Sequence, residues 1–233
     1  MMASFVHRPE PLYNKTLFTI LLLDIIYIGL IAIAFAVGLI FTNRSGPFNY
    51  KLLLLFLLIT FLNESVCLYI KNRGLGSTYI FYNFYYYFRY PVLACMFLYL
   101  FTDKFQRIFI YIFFLLSFFL LFFNFFYYYK SDELHTNYQL AGGFFIIILC
   151  LFYFYNIIRM SNMENPLKTK FFWVATGFFF FFLGTLPFFG ILRFLVKKDI
   201  LFAEEYLVLV KSLSILLYSF IGIDFYIQWK YQK

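Results

Sequence analysis

The chain has 233 residues, 64% hydrophobic and only 13% charged, with mean hydropathy +0.82 and formal net charge +8. About 25% of an ordinary soluble domain is charged, so most of this surface does not face water and a lipid bilayer is the expected environment. The basic residues lie scattered at segment ends rather than on one soluble face, which excludes a nucleic-acid footprint.

A crossing needs about 20 mostly apolar residues. Seven stretches meet this: Thr16–Thr42, Tyr50–Lys71, Ser77–Phe101, Phe105–Tyr129, Tyr138–Arg159, Phe171–Val196 and Ala203–Trp229. In the first, Ala34-Phe-Ala36 looks like a signal cleavage site. The apolar stretch before it is longer than the roughly 7–15-residue core of a signal, so the span is expected to be retained. All seven are predicted to be helices, because runs such as Phe178 to Leu183 lack the alternation of a membrane β-strand. Turn signals separate them at Asn43-Arg-Ser-Gly-Pro47, Asn72-Arg-Gly74, Lys130-Ser-Asp132, Asn162-Met-Glu-Asn-Pro166 and Lys197-Lys-Asp199. The connections are short, so consecutive helices should be antiparallel neighbours. The fold class is therefore all-α: a polytopic seven-transmembrane-helix bundle forming a single domain over 1–233, with no soluble domain.

Aromatic residues make up 27% of the chain, with 39 Phe and 22 Tyr. They could form a binding surface. The plainer reading is lipid-facing filler from an AT-rich genome, since Phe is favourable at the centre of an inserted helix.

Ionisable residues within spans are costly, and they usually face a bundle interior, a cavity or each other. Five occur here: Asp24, Glu64, Arg89, Lys211 and Asp224. Asp24, Glu64 and Lys211 lie roughly 10–12 Å from one predicted end, and Arg89 lies near the midplane. Asp224 is close enough to the opposite end to be expected at the headgroups. Helical spacing places Thr60, Glu64, Cys67 and Lys71 on one face. Tyr82, Tyr85, Tyr86 and Arg89 share another, as do Lys211, Ser214 and Tyr218, and Asp24 with Tyr27. Four polar stripes would then point inward. Glu64 is expected to meet Arg89 directly or through Asn83 or Tyr86, and Lys211 to pair with Asp24. The candidate polar cluster is thus Asp24, Glu64, Asn83, Tyr86, Arg89 and Lys211. Its plainer alternative is that the charges only hold helices together.

Pro91 and Pro187 fall inside spans and are expected to kink them. Gly142-Gly143 should permit close helix contact, and Trp173 and Trp229 suit the membrane interface. Cys67, Cys95 and Cys150 lie at different depths and are expected to stay free. His7 and His135 fall in flanking loops, so no histidine relay or metal site is expected inside the membrane. No phosphate loop, catalytic triad or HExxH motif occurs, and nothing calls for a cofactor.

Leu62-Asn63-Glu64, Tyr79 with Asn83, Phe172-Trp173 with Gly177, and Gly222-Ile-Asp224 resemble small seven-span proteins of unknown function from Bacteroidota. That resemblance implies an inner-membrane location and no settled activity. Arg89 departs from it, standing where similar chains would carry an acid. The layout also resembles seven-span sensors that precede a cytoplasmic kinase. Here the chain ends at Lys233, so output would pass to a partner, either another membrane protein or a second copy.

Lysine and arginine divide eight against nine between the two faces of the membrane. Acids concentrate on the side of the N-terminus, leaving net charges of +2 and +7. The expected orientation is N-terminus outside and C-terminus cytoplasmic. The leading functional expectation is a non-enzymatic, receptor-like or accessory subunit. Its outward-facing polar cavity would hold a small or lipidic ligand or a partner helix. Two alternatives are a lipid-acting enzyme with Glu64 as general base and, more remotely, a retinal protein using Lys211.

Overall fold

The structure is a computed structural model describing residues 10–42, 47–127, 135–159, 165–198 and 200–231, with side chains described for 22–42, 47–123, 135–159, 165–190 and 207–231. Most of the turn signals, and His7, lie outside the described residues.

Seven helices follow one another: α1 (Glu10–Thr42), α2 (Phe48–Arg73), α3 (Tyr79–Leu98), α4 (Lys104–Tyr127), α5 (Thr136–Arg159), α6 (Phe172–Lys198) and α7 (Ile200–Tyr231). A short 3₁₀ turn, Pro166–Lys168, precedes α6. No strand occurs among the described residues. At 33 and 32 residues, α1 and α7 exceed the expected lengths. Among the described residues six helices are long and apolar enough to cross a membrane. The exception is α3, whose tyrosines, Asn83 and Arg89 lower its hydropathy. It nonetheless has 20 residues, about 30 Å of rise.

The sequence closes the α2–α3 turn by a local device. Gly74 caps α2 in the left-handed region at φ 63°, which glycine adopts without a Cβ clash. Its N–H donates to Lys71 O, and the Leu75 N–H donates to Ile70 O at 3.1 Å. Two carbonyls at the helix end are thereby satisfied. Lys71 and Arg73 lie in the same last turn, where cations complement the helix dipole.

Helices α1, α2, α3, α5, α6 and α7 form a closed ring in that order, and α4 packs outside it against α3 and α5. Gln106 of α4 and Asn156 of α5 exchange two hydrogen bonds of 3.0 and 2.9 Å. Two to three turns away along the same interface, the rings of Phe113 and Phe145 stack. Close approach elsewhere depends on glycine. A Cβ at Gly142 would lie 2.6 Å from the Tyr90 ring, and one at Gly143 would lie 2.9 Å from Leu186. These two positions seat α5 against α3 and α6. Both α3 and α6 run continuously through Pro91 and Pro187.

Burial is inverted relative to a soluble protein. Ile33, Leu115, Phe118 and Ile158 are exposed, whereas Asp24, Arg89 and Asp224 are buried. An apolar exterior around buried polar groups is what hydrocarbon requires of a spanning bundle.

Asp224 does not reach the headgroups. It is fully buried, and the Tyr50 hydroxyl donates to its Oδ2 at 2.6 Å. The Phe171 N–H donates to that same hydroxyl at 3.2 Å. The start of α6 thus reaches the carboxylate through the Tyr50 hydroxyl, and Oδ1 lacks a partner in hydrogen-bond geometry. Phe171 takes φ 73°, a costly conformation for a side chain of this size. Buried aromatic contacts with Tyr50 and Phe97 hold it there. An acid near a helix N-terminus complements the positive end of the dipole, and Tyr50 links Asp224 of α7 to α2 and to the start of α6.

Candidate functional site

At the other end of the ring, polar side chains line a cavity. Asp24 on α1 forms an ion pair with Lys211 on α7, as their matched depths lead one to expect. The Lys71 ammonium lies 3.7 Å from the second carboxylate oxygen, with its side chain 62% exposed. On the neighbouring interface the Tyr82 hydroxyl donates to Glu64 Oε2 at 3.3 Å. The Tyr27 hydroxyl is placed to donate to the same carboxylate. One turn deeper, the hydroxyls of Tyr85 and Thr60 lie 2.9 Å apart, and Thr60 also donates to Phe56 O.

Two chambers adjoin here. The outer one, about 560 Å³, is lined by Asp24, Glu64, Lys71 and Lys211 and by the α2–α3 turn at Gly76 and Ser77. The inner one, about 420 Å³, is lined by Arg89, Tyr86, Gln139, Ser214, Tyr218 and Phe181, among others. Glu64, Tyr82 and Lys211 line both and stand at the junction.

The expected contact between Glu64 and Arg89 does not form. The reason is register. Thr60 faces Tyr85 and Glu64 faces Tyr82 across antiparallel α2 and α3, so Arg89 falls level with Phe56. That is eight residues, or about 12 Å, deeper than Glu64. The guanidinium turns instead towards α6. Its carbon lies 5.0 Å from the Phe181 ring centroid and 4.8 Å from that of Phe182, with Tyr85 and Tyr90 at 5.6 and 5.8 Å. Cation–π attraction contributes roughly 0.5–2 kcal/mol per favourable ring. Ring faces leave the five N–H donors of a guanidinium without acceptors. Arg89 is 6% exposed, its Nε has no hydrogen-bond partner, and no acid pairs with it among the described residues. An intramembrane arginine costs at least about 2.5 kcal/mol, and no described acid offsets it.

Asn83 is not part of this cluster. Its Oδ1 accepts the His135 N–H at 2.8 Å, while the Tyr87 hydroxyl lies 2.6 Å from His135 Nδ1. Both contacts join α3 to the start of α5. Of the other candidates, Tyr86, Arg89, Glu64 and Lys211 line the inner chamber, and Asp24 lines only the outer one.

Gln139 had no distinguishing signal in the sequence. It lies in the first turn of α5, is 3% exposed and lines the inner chamber. Its Oε1 has no partner. Phe181 and Phe182 belong to an uninterrupted phenylalanine run in which nothing separates a cation-facing ring from a lipid-facing one.

Among the described residues no three His, Cys, Asp or Glu side chains come together as a metal site. Cys67, Cys95 and Cys150 are all free thiols.

No protein-family model, curated protein or solved structure matches this chain.

Proposed function

We propose that this chain is a seven-helix, non-enzymatic protein of the bacterial inner membrane that holds a small amphipathic ligand inside its bundle. It acts as a receptor-like or accessory subunit beside another membrane protein or a second copy. The observation that carries the reading is the pair of joined chambers at one end of the ring. Charged groups and hydroxyls line them where a structural bundle would place packed side chains. Sites of this size, with a few convergent polar groups, are the usual form of a small-molecule pocket.

The seventh crossing is supported by helix direction. The α3 helix runs antiparallel to α2 through the Tyr85 and Tyr82 contacts. It runs parallel to α5 through the pairing of Tyr87 with His135 and of Tyr90 with Gln139. Charge asymmetry supports an outside N-terminus, which places the chamber mouth outside as well.

Reporter fusions at Met1 and Lys233 should report opposite compartments; the same compartment for both removes one crossing. Native mass spectrometry of gently extracted protein should show a small-molecule adduct that disappears in Ser214→Trp, where an indole fills the inner chamber. Lipid turnover by the purified protein, abolished by Glu64→Gln, would instead establish the enzyme reading.

A further inference from the structure

We propose that the inner chamber binds the carboxylate of an amphipathic monoanion, with Arg89 as the anchor. This rests on the ligand-binding reading above and names the class of ligand. Three observations carry it.

The first is charge. Across both chambers Asp24 and Glu64 stand against Lys71, Lys211 and Arg89. The two acids already have partners near the mouth: Asp24 holds Lys211, and Glu64 holds Tyr82. Among the described side chains Lys71 shares Asp24 with Lys211, and Arg89, the deepest cation, has no acid partner. A single negative charge on the ligand matches the one charge on Arg89.

The second is geometry. The aromatic rings of Tyr85, Tyr90, Phe181 and Phe182 surround the guanidinium, but none accepts a hydrogen bond from its N–H fork. That planar fork matches the two oxygens of a carboxylate. Arg89 Nε is buried and unpartnered, and Arg89 lines this chamber.

The third is the wall. The lining combines apolar Phe181, Phe188, Phe189 and Val210 with hydroxyl-bearing Tyr86, Ser214 and Tyr218. A ligand with a charged head and an apolar body matches both.

The test uses the full chain in non-ionic detergent, with bound ligand counted by native mass spectrometry. Laurate, dodecanol, dodecyl phosphate and acetate are compared. Laurate should bind at one site about tenfold more tightly than dodecanol, the ratio that one charge-assisted contact of about 1.4 kcal/mol gives. Arg89→Gln should bring the two within about twofold, and Arg89→Lys should restore part of the preference.

Equal binding of laurate and dodecanol overturns the proposal, while the cavity reading survives if Ser214→Trp still displaces dodecanol. Tighter binding of dodecyl phosphate than of laurate overturns the carboxylate assignment. Acetate that displaces laurate at equal concentration overturns the need for an apolar body, and points to a water-soluble carboxylate. A laurate preference that persists in Arg89→Gln overturns the role of Arg89. Failure of every probe to bind overturns the proposal too. The ligand series in the unsubstituted protein decides the question if Arg89→Gln does not fold.

Discussion

At one end of the bundle Asp224 is fully buried, takes the Tyr50 hydroxyl and through it reaches the start of α6. Roughly 10 Å away along the bundle, Arg89 is almost equally buried but meets only ring faces and a chamber wall. Both are charges in hydrocarbon, yet protein atoms partner the first and leave the second open. The difference separates two uses of a buried charge. One that closes on its own protein fixes helix positions, and its loss should appear as instability. One that faces an empty chamber contributes little to the fold, and its loss should appear in binding.

The largest expected effect breaks the closed end. Asp224→Ala strands the Tyr50 hydroxyl at the start of α6. It should cost about 3 kcal/mol, at the upper range for hydrogen bonds to a charged group. Thermal unfolding in detergent would measure this, and a variant as stable as the parent would show that Asp224 does not tie the helices. Next is Gly142→Ala, which drives a methyl into the Tyr90 ring. Overpacking of this kind costs about 1–3 kcal/mol, so the same assay should show a drop of about 2 kcal/mol. No drop would place α5 farther from α3.

A smaller change is expected at the chamber mouth. Lys211→Met leaves Asp24 with only the exposed Lys71. It should cost about 1 kcal/mol, within the range that polar contacts between membrane helices contribute. Adding Asp24→Asn should recover part of the loss, and purely additive effects in this cycle would deny the pair any energetic coupling. Smallest of all is Arg89→Met. Replacing an uncompensated buried ion by a hydrophobe of similar size should leave stability unchanged or raise it by about 1 kcal/mol. A loss as large as that of Asp224→Ala would move Arg89 into the framework and erase the contrast between the two ends.

Much of this was legible in the residues. Long apolar runs marked the helices, since hydrocarbon thickness and backbone satisfaction leave little choice. Asp24 and Lys211 could be matched because both lie at a similar depth in spans sharing a direction. Gly142-Gly143 announced a close contact, since the missing Cβ atoms leave room for the Tyr90 ring and Leu186 of neighbouring helices.

Other features depended on rotation and register. Among the described residues six of the seven helices have the length and apolarity of a crossing on composition alone. The α3 helix owes its place to the helices around it. The sequence by itself determined an all-helical, lipid-embedded chain with charges inside it, because run length and hydropathy are local properties. Only the tertiary structure decided that Glu64 meets Tyr82 rather than Arg89, that Asp224 takes the Tyr50 hydroxyl at the start of α6, and that Gln139 joins the chamber. In a bilayer the lipid-facing and core-facing sides of a helix are both apolar, so periodicity says little about which way a helix is turned. The registers of α2 against α3 and of α1 against α7 then decide which buried charges find partners and which are left facing open space.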